Sequence, residues 1–138
     1  MKIFCAGAVT DWDDPLGWHE DAREQYPDEE IVNAYDYGED VPIYEEPERA
    51  IEPALEAVTD CDGLIAHWDD GVSLPAAVGY MWNAKMHDIP VVVWYSGERD
   101  TDNVSPAVLY LSEKRVYSSL DKAMDVLCMM GPSTSFDL

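Results

Sequence analysis

Side chains able to do chemistry gather where apolar runs of this chain end. Asp11, Trp12, Asp13 and Asp14 follow the first run, Tyr35, Asp36 and Tyr37 the second, His67, Asp69 and Asp70 the third, and Glu98 the fourth. Carboxylates beside aromatic rings suit a ligand with hydroxyls and a flat ring, because the carboxylates accept hydroxyl protons and the ring offers a stacking face. A sugar or a nucleoside has that make-up. The competing reading is that in so acidic a chain most of these carboxylates are solvated loop charge.

Other chemistries find less support. CAGAVTDW lacks GxGxxG and DDGVSLPA lacks GxxxxGK[ST], so there is no glycine-rich phosphate cradle. Ser73 opens a helix, where an N-terminus can hold a phosphate, but it has no His and Asp partners nearby in sequence and reads first as a helix cap. His67, Asp69 and Asp70 match no recognised metal-ligand spacing; neither a metal nor a cofactor is assigned. His67 reads as a structural histidine at a strand end, His19 as exposed on its helix and His87 as part of a turn. Cys5, Cys61 and Cys128 are widely separated and odd in number, which fits small buried hydrophobes better than a disulfide framework or a zinc site.

Five strands and five helices are predicted to hold these groups. The strands are Lys2 to Ala6, ended by Gly7, then Glu30 to Tyr35, Asp62 to Trp68, Ile89 to Tyr95 and Arg115 to Tyr117. The first helix opens at Asp14 and Pro15 and shows Trp18, Ala22 and Tyr26 on one face. The second carries Ile51, Leu55 and Val58 at helical spacing, with Pro53 either starting it or kinking a longer helix. The third packs through Leu74, Ala77, Val78 and Met81. A short fourth helix opens at Ser105 and Pro106 and runs to Leu111. Ser119 caps the last, which packs through Leu120, Ala123, Met124 and Leu127. IPVVVWY is a continuous apolar run of the kind buried on both faces of a parallel sheet. The alternation therefore specifies an α/β, flavodoxin-like three-layer sandwich: a five-stranded parallel sheet in the order 2-1-3-4-5, with right-handed crossovers. Its switch point lies between the first and third strands, which brings Gly7 to Asp14 and Trp68 to Ala77 to one crevice.

Length and composition bound the rest. The 138 residues make one domain, taken as 1–130, with a tail at 131–138. There are 29 acidic and 8 basic residues, a formal net charge of -21, while 47% of the chain is hydrophobic. That hydrophobic share argues against a disordered chain. The acid disfavours direct contact with nucleic-acid phosphates, which call for a basic footprint. It is spread along the whole chain and would be screened in a salt-rich cytoplasm, where the Debye length falls to about 3 Å at 1 M. A cytoplasmic protein of a haloarchaeon, or of a virus infecting one, is the expectation. No segment is long and apolar enough for a membrane span or a signal peptide.

KIFCAG, IVNAYDYG, ALEAVTDCDGLIA, the small-residue turn leading to VGY, and IPVVVWY occur in an order that resembles the nucleoside 2-deoxyribosyltransferase family, over Met1 to about Leu127. The resemblance implies a flavodoxin-like fold, assembly as a homo-oligomer with sites completed by a neighbouring subunit, and exchange of the base on a 2-deoxynucleoside through a glutamate nucleophile. The family's motif has that glutamate immediately before an aliphatic residue, Gly and commonly Tyr. Here the matching stretch is Ala77, Val78, Gly79 and Tyr80, so the nucleophile position is alanine. A family Asp on the preceding helix, eight residues before the strand-opening Asp62, is matched by Ala54. Alanine can neither attack a sugar nor move a proton.

Three readings stand. The first is a catalytically inactive relative that keeps a crevice for a nucleoside, nucleotide or related small molecule. Its contacts would be Gly7, Asp11, Trp12, Tyr35, Asp62, His67, Ser73, Ala77 and Tyr80. The second is an active N-glycosidic enzyme in which Asp69 and Asp70 have taken over as catalytic carboxylates. The third is a structural or protein-interaction module, in a virus particle or a host-defence context, without a small ligand.

Overall fold

A computed structural model of the chain describes residues 1–7, 17–37, 40–42, 44–70, 75–98, 100 and 104–130, the side chains of Tyr35 and Pro75 excepted. The five apolar runs become the strands β1 (Lys2–Gly7), β2 (Glu30–Asn33), β3 (Gly63–Trp68), β4 (Val91–Tyr95) and β5 (Val116–Tyr117). They form one parallel sheet in the order β2-β1-β3-β4-β5. This is the expected flavodoxin-like arrangement, an α/β sheet with helices on both faces.

Alternation along the strands sorts the two faces. Phe4, Leu64, Ala66, Val91 and Val93 face helices α2 (Glu48–Thr59), α3 (Pro75–Met86) and α4 (Pro106–Leu111), meeting Ala54, Val58, Met81, Ala84 and Leu111. Ile3, Cys5, Ile31, Ile65 and Val92 face the other way, against Trp18 of α1 (Gly17–Gln25) and Ala123, Met124 and Leu127 of α5 (Leu120–Met130). Two buried faces explain why β3 and β4 read as unbroken apolar runs. The Ser119 hydroxyl accepts the Lys122 amide at 3.1 Å, the cap expected at the start of α5. The tail and the Asp14–Pro15 helix start lie outside the described residues.

Several boundaries and faces differ from the sequence reading. β2 stops at Asn33 because Ala34–Tyr37 winds into a 3-10 turn. That turn is held by a reciprocal pair: the Asn33 amide donates to Asp36 Oδ2 at 3.0 Å and the Asp36 amide to Asn33 Oδ1 at 3.2 Å. α2 is a single helix running through Pro53, and its buried face is Ala50, Ala54, Ala57 and Val58, with Ile51 40% exposed. Small residues on that face allow α2 to lie close to α3, and Asn83 Nδ2 donates to the Leu55 carbonyl across the gap at 2.9 Å.

At two glycines and one contrast case the backbone sets the fold's tolerance. Gly7 has φ +109°, and a Cβ there would fall 2.6 Å from the His67 nitrogen and closer still to its oxygen. A Cβ on Gly63 would first meet the movable Leu127 side chain, at 2.7 Å, and one on Gly79 nothing within 4 Å among the described residues. Urea unfolding should therefore rank three alanine variants. Gly7→Ala loses about 3 kcal/mol or more through clash and left-handed strain, Gly63→Ala loses about 1 kcal/mol, and Gly79→Ala gains roughly 0.5–1 kcal/mol of helix propensity.

Candidate functional site

The C-terminal edge of the sheet is where an open α/β fold presents ligand groups, and alternation divides its side chains between two faces. In register, Gly7 pairs with His67, His67 with Trp94 and Trp68 with Tyr95. His67 and Trp94 point toward α1, whereas Trp68 and Tyr95 pack toward α3.

On the α1 face His67 is 1% exposed. Its ring lies on Trp94, with centroids 4.0 Å apart and 22° between planes, and meets Trp18 edge-on at 5.7 Å. Its Nε2 is 2.7 Å from Ser96 Oγ, and Ser96 itself is exposed on the loop after β4. His67 is thus a held histidine, as the sequence suggested. His19 corrects the sequence reading: it is buried, 2% exposed, with its ring 4.2 Å from that of Trp18. Two adjacent residues of α1, Trp18 and His19, are thus both buried, and the Trp18 ring reaches over to His67 and Trp94. Among the described residues, buried His19 Nδ1 and Asn33 Nδ2 have no hydrogen-bond partner, an arrangement that costs about 1–3 kcal/mol per group when unsatisfied.

On the α3 face the carboxylates act mainly as clamps. Asp70 accepts the Tyr95 hydroxyl in a short hydrogen bond and the Glu98 amide at 2.8 Å, tying the ends of β3 and β4 together. Asp69 Oδ1 accepts the Asp70 amide at 2.7 Å. Trp68 is half-buried, and its buried Nε1 has no hydrogen-bond partner among the described residues. Ala77 and Tyr80 are part of the core, 4% and 6% exposed, with the Tyr80 ring 5.3 Å from Phe4. The alanine at the position of interest is therefore a packing residue.

The remaining expected contacts scatter. Asp62 stands at the opposite edge of the sheet, at the entrance to β3. There its carboxylate accepts the Lys2 amide at 2.8 Å and its own amide donates to the Lys2 carbonyl at 2.7 Å. Asp11, Trp12 and Ser73 lie outside the described residues, as does the Tyr35 side chain. Gly7, His67, Asp69, Asp70, Ala77 and Tyr80 are brought to the C-terminal half of the sheet, on its two faces. An open concavity of about 290 Å³ between Lys85, Asp88, Glu113 and Arg115 sits at the far edge, beside the start of β4, and shares no residue with this group. Ser96, Asn33 and Trp94 were missed in the sequence. The usable signal was the parallel register, which sets the H of HW beside the first aromatic of WY.

No protein-family model matches this chain, and no curated protein matches its sequence. Solved structures share its fold. A conserved protein from Enterococcus faecalis V583 superposes with a TM-score of 0.74 at 17% identity, over 94% of this chain and 98% of that one. The 2-desoxiribosyltransferase from Leishmania mexicana gives 0.68 at 14% identity, over 93% and 97%. The SEFIR domain of iL-17 receptor B gives 0.56 at 14%, over 94% and 93%. The chain is thus an α/β protein of flavodoxin-like topology, and its resemblance to 2-deoxyribosyltransferases extends from motif order to fold. An enzyme and a receptor domain in one set of likenesses illustrate that this fold by itself assigns no activity.

His19 makes the site sensitive to acid. Burial, and then the nearby Arg23 guanidinium, push its imidazole down to about 4, against the opposing pull of Asp36. The unfolded chain therefore binds a proton at His19 between about pH 6.5 and about pH 4 that the folded chain refuses, and stability falls as pH drops through that window. His19→Gln should remove up to about 3 kcal/mol of that pH dependence, measured as the wild-type-minus-variant difference in unfolding free energy at the two ends of the window. Equal slopes would mean that His19 titrates normally.

Proposed function

We propose that this chain is a divergent relative of the nucleoside 2-deoxyribosyltransferases that binds a nucleoside or related small molecule at the C-terminal edge of its sheet and does not exchange bases. The observation that carries the second half is Ala77. The position matching the family's glutamate holds a methyl group packed into the core, and Ala54, matching the family's Asp, is fully buried as well. Asp70 has both carboxylate oxygens engaged, by Tyr95 and by the Glu98 amide, and Asp69 is turned onto the Asp70 amide. These engagements weigh against either as a substitute nucleophile, since attack on an anomeric carbon needs a carboxylate held within about 3–3.5 Å of it.

Calorimetric titration with 2-deoxynucleosides in molar KCl should give saturable binding. Incubation of deoxyinosine with adenine, followed by chromatography, should give no deoxyadenosine. Base exchange abolished by Asp69→Ala or Asp70→Ala would replace this reading with that of an active enzyme. Ala77→Glu should cost about 3 kcal/mol, the order expected for forcing a carboxylate into apolar packing. An unchanged urea midpoint would mean that position 77 opens onto the crevice.

Assembly as a homo-oligomer is supported by a separate observation. Pro75–Met86 and Pro106–Leu111 contain no Asp or Glu in a chain with 29 of them. Together they expose Trp82, Met86 and Tyr110, each more than half accessible, with the Trp82 and Tyr110 rings 6.2 Å apart and Lys85 Nζ 4.8 Å above Tyr110. Two copies each carrying a formal charge of -21 repel except where acid is missing, so a second copy is the occupant this face suits. Sedimentation should show a dimer or larger assembly that Trp82→Glu converts to monomer. A monomeric wild type at molar salt would overturn the assignment.

A further inference from the structure

We infer that Ser96 and His67 form a nucleophile–base pair able to take an acyl group from an activated, uncharged ester. The inference is independent of the nucleoside reading. Ser96 Oγ and His67 Nε2 are 2.7 Å apart, the separation at which an imidazole can take a hydroxyl proton as the oxygen attacks. The Ser96 hydroxyl also donates to the Trp68 carbonyl at 3.4 Å, a weak contact by comparison, and His67 Nε2 serves as the base in the tautomer that carries its proton on Nδ1. The base is held in orientation: His67 is stacked on Trp94, met edge-on by Trp18, and carried on a strand whose register with β1 depends on the missing side chain at Gly7. The nucleophile is exposed and the base buried, so a reagent from solvent meets the oxygen first. Both stand at the C-terminal ends of adjacent parallel strands.

In the proposed step Ser96 Oγ attacks the acyl carbon and its proton passes to His67 Nε2. The tetrahedral intermediate collapses, the bond to the leaving alcohol breaks, and the proton on His67 is available to that alcohol. Water, deprotonated by His67, then attacks the acyl-serine; the acid is released and Oγ–H restored. The Ser96 amide donates to the Trp68 carbonyl at 3.0 Å and the Glu98 amide to Asp70 at 2.8 Å. These two neighbouring amides are therefore committed and neither stabilises an oxyanion. Both acyl transfers are slowed by that lack, and the good leaving group of an activated ester speeds acylation alone, giving a burst of one equivalent followed by a slow steady state. Asp69, Asp70 and Glu98 at the same edge disfavour negatively charged acyl donors.

The test uses the full chain in molar KCl with p-nitrophenyl acetate. Nitrophenolate release is followed in the burst phase, and the acetylated residue is located by peptide mass spectrometry. Acetylation at Ser96 is expected, absent in Ser96→Ala and slowed roughly a hundredfold in His67→Gln, with a succinate half-ester reacting more slowly than acetate. If His67→Gln does not fold, Ser96→Cys in the otherwise native chain carries the test, and its thiol should be alkylated by iodoacetamide roughly tenfold faster than an ordinary exposed cysteine. Acetyl groups only on lysines, a burst that persists in Ser96→Ala, or an unactivated thiol in Ser96→Cys would each reduce the pair to a structural hydrogen bond that satisfies a buried imidazole.

Discussion

The contact on which the rest of this edge depends is the approach of the Gly7 backbone to that of His67. No side chain can stand at Gly7, because its Cβ would overlap the His67 peptide and its φ of +109° is disfavoured for any other residue. Closing β1 onto β3 in that register sends His67 toward α1 and Trp68 toward α3. The period of two along a strand then carries the division across to β4, where Trp94 joins His67 and Tyr95 joins Trp68. One edge of the sheet thereby has two chemical characters: imidazole, indole and hydroxyl on one face, and carboxylate, phenol and core methyls on the other.

Acidic residues do more architectural work here than their number alone suggests. Asp62 binds the entrance of β3 to the Lys2 amide, Asp70 binds the exit of β3 to the loop after β4, and Asp36 closes the turn after β2. Each accepts a backbone N–H at 2.8 to 3.0 Å, a charge-assisted bond stronger than its neutral counterpart. Carboxylates so used are poor candidates for covalent chemistry, which needs an oxygen turned toward the substrate. The missing acid on α3 and α4 is informative for the same reason. Where a surface otherwise coated in negative charge omits it beside exposed Trp82 and Tyr110, contact with another acidic body becomes electrostatically affordable.

Much of the fold was legible because its signals are local. Apolar runs such as VVVWY, the Ser119 cap and the Ser105–Pro106 start depend on a few neighbouring residues, and they appear where expected. The errors arose where a distant partner decided. Ile51 has helical spacing with Leu55 and Val58, yet the close approach of α3 favoured the small face of Ala50, Ala54 and Ala57. His19 read as exposed because the local pattern of its helix gives no reason to bury it; in the fold it is 2% exposed, with its ring against that of Trp18.

For the candidate site the division is sharper. Residue order alone determined the strand alternation, the sheet order, and the alanine at position 77, because these follow from residue identity and from periodicity along one segment. Only the tertiary structure decided which groups meet. Ser96 and His67 are 29 positions apart and touch because β3 and β4 lie in parallel register. Asp62, next to its strand in sequence, ends at the opposite edge from Asp70 because a six-residue strand separates the two, about 20 Å at roughly 3.3 Å per residue. Proximity between segments is set by pairing and packing across the chain, which the local pattern of any one segment does not encode.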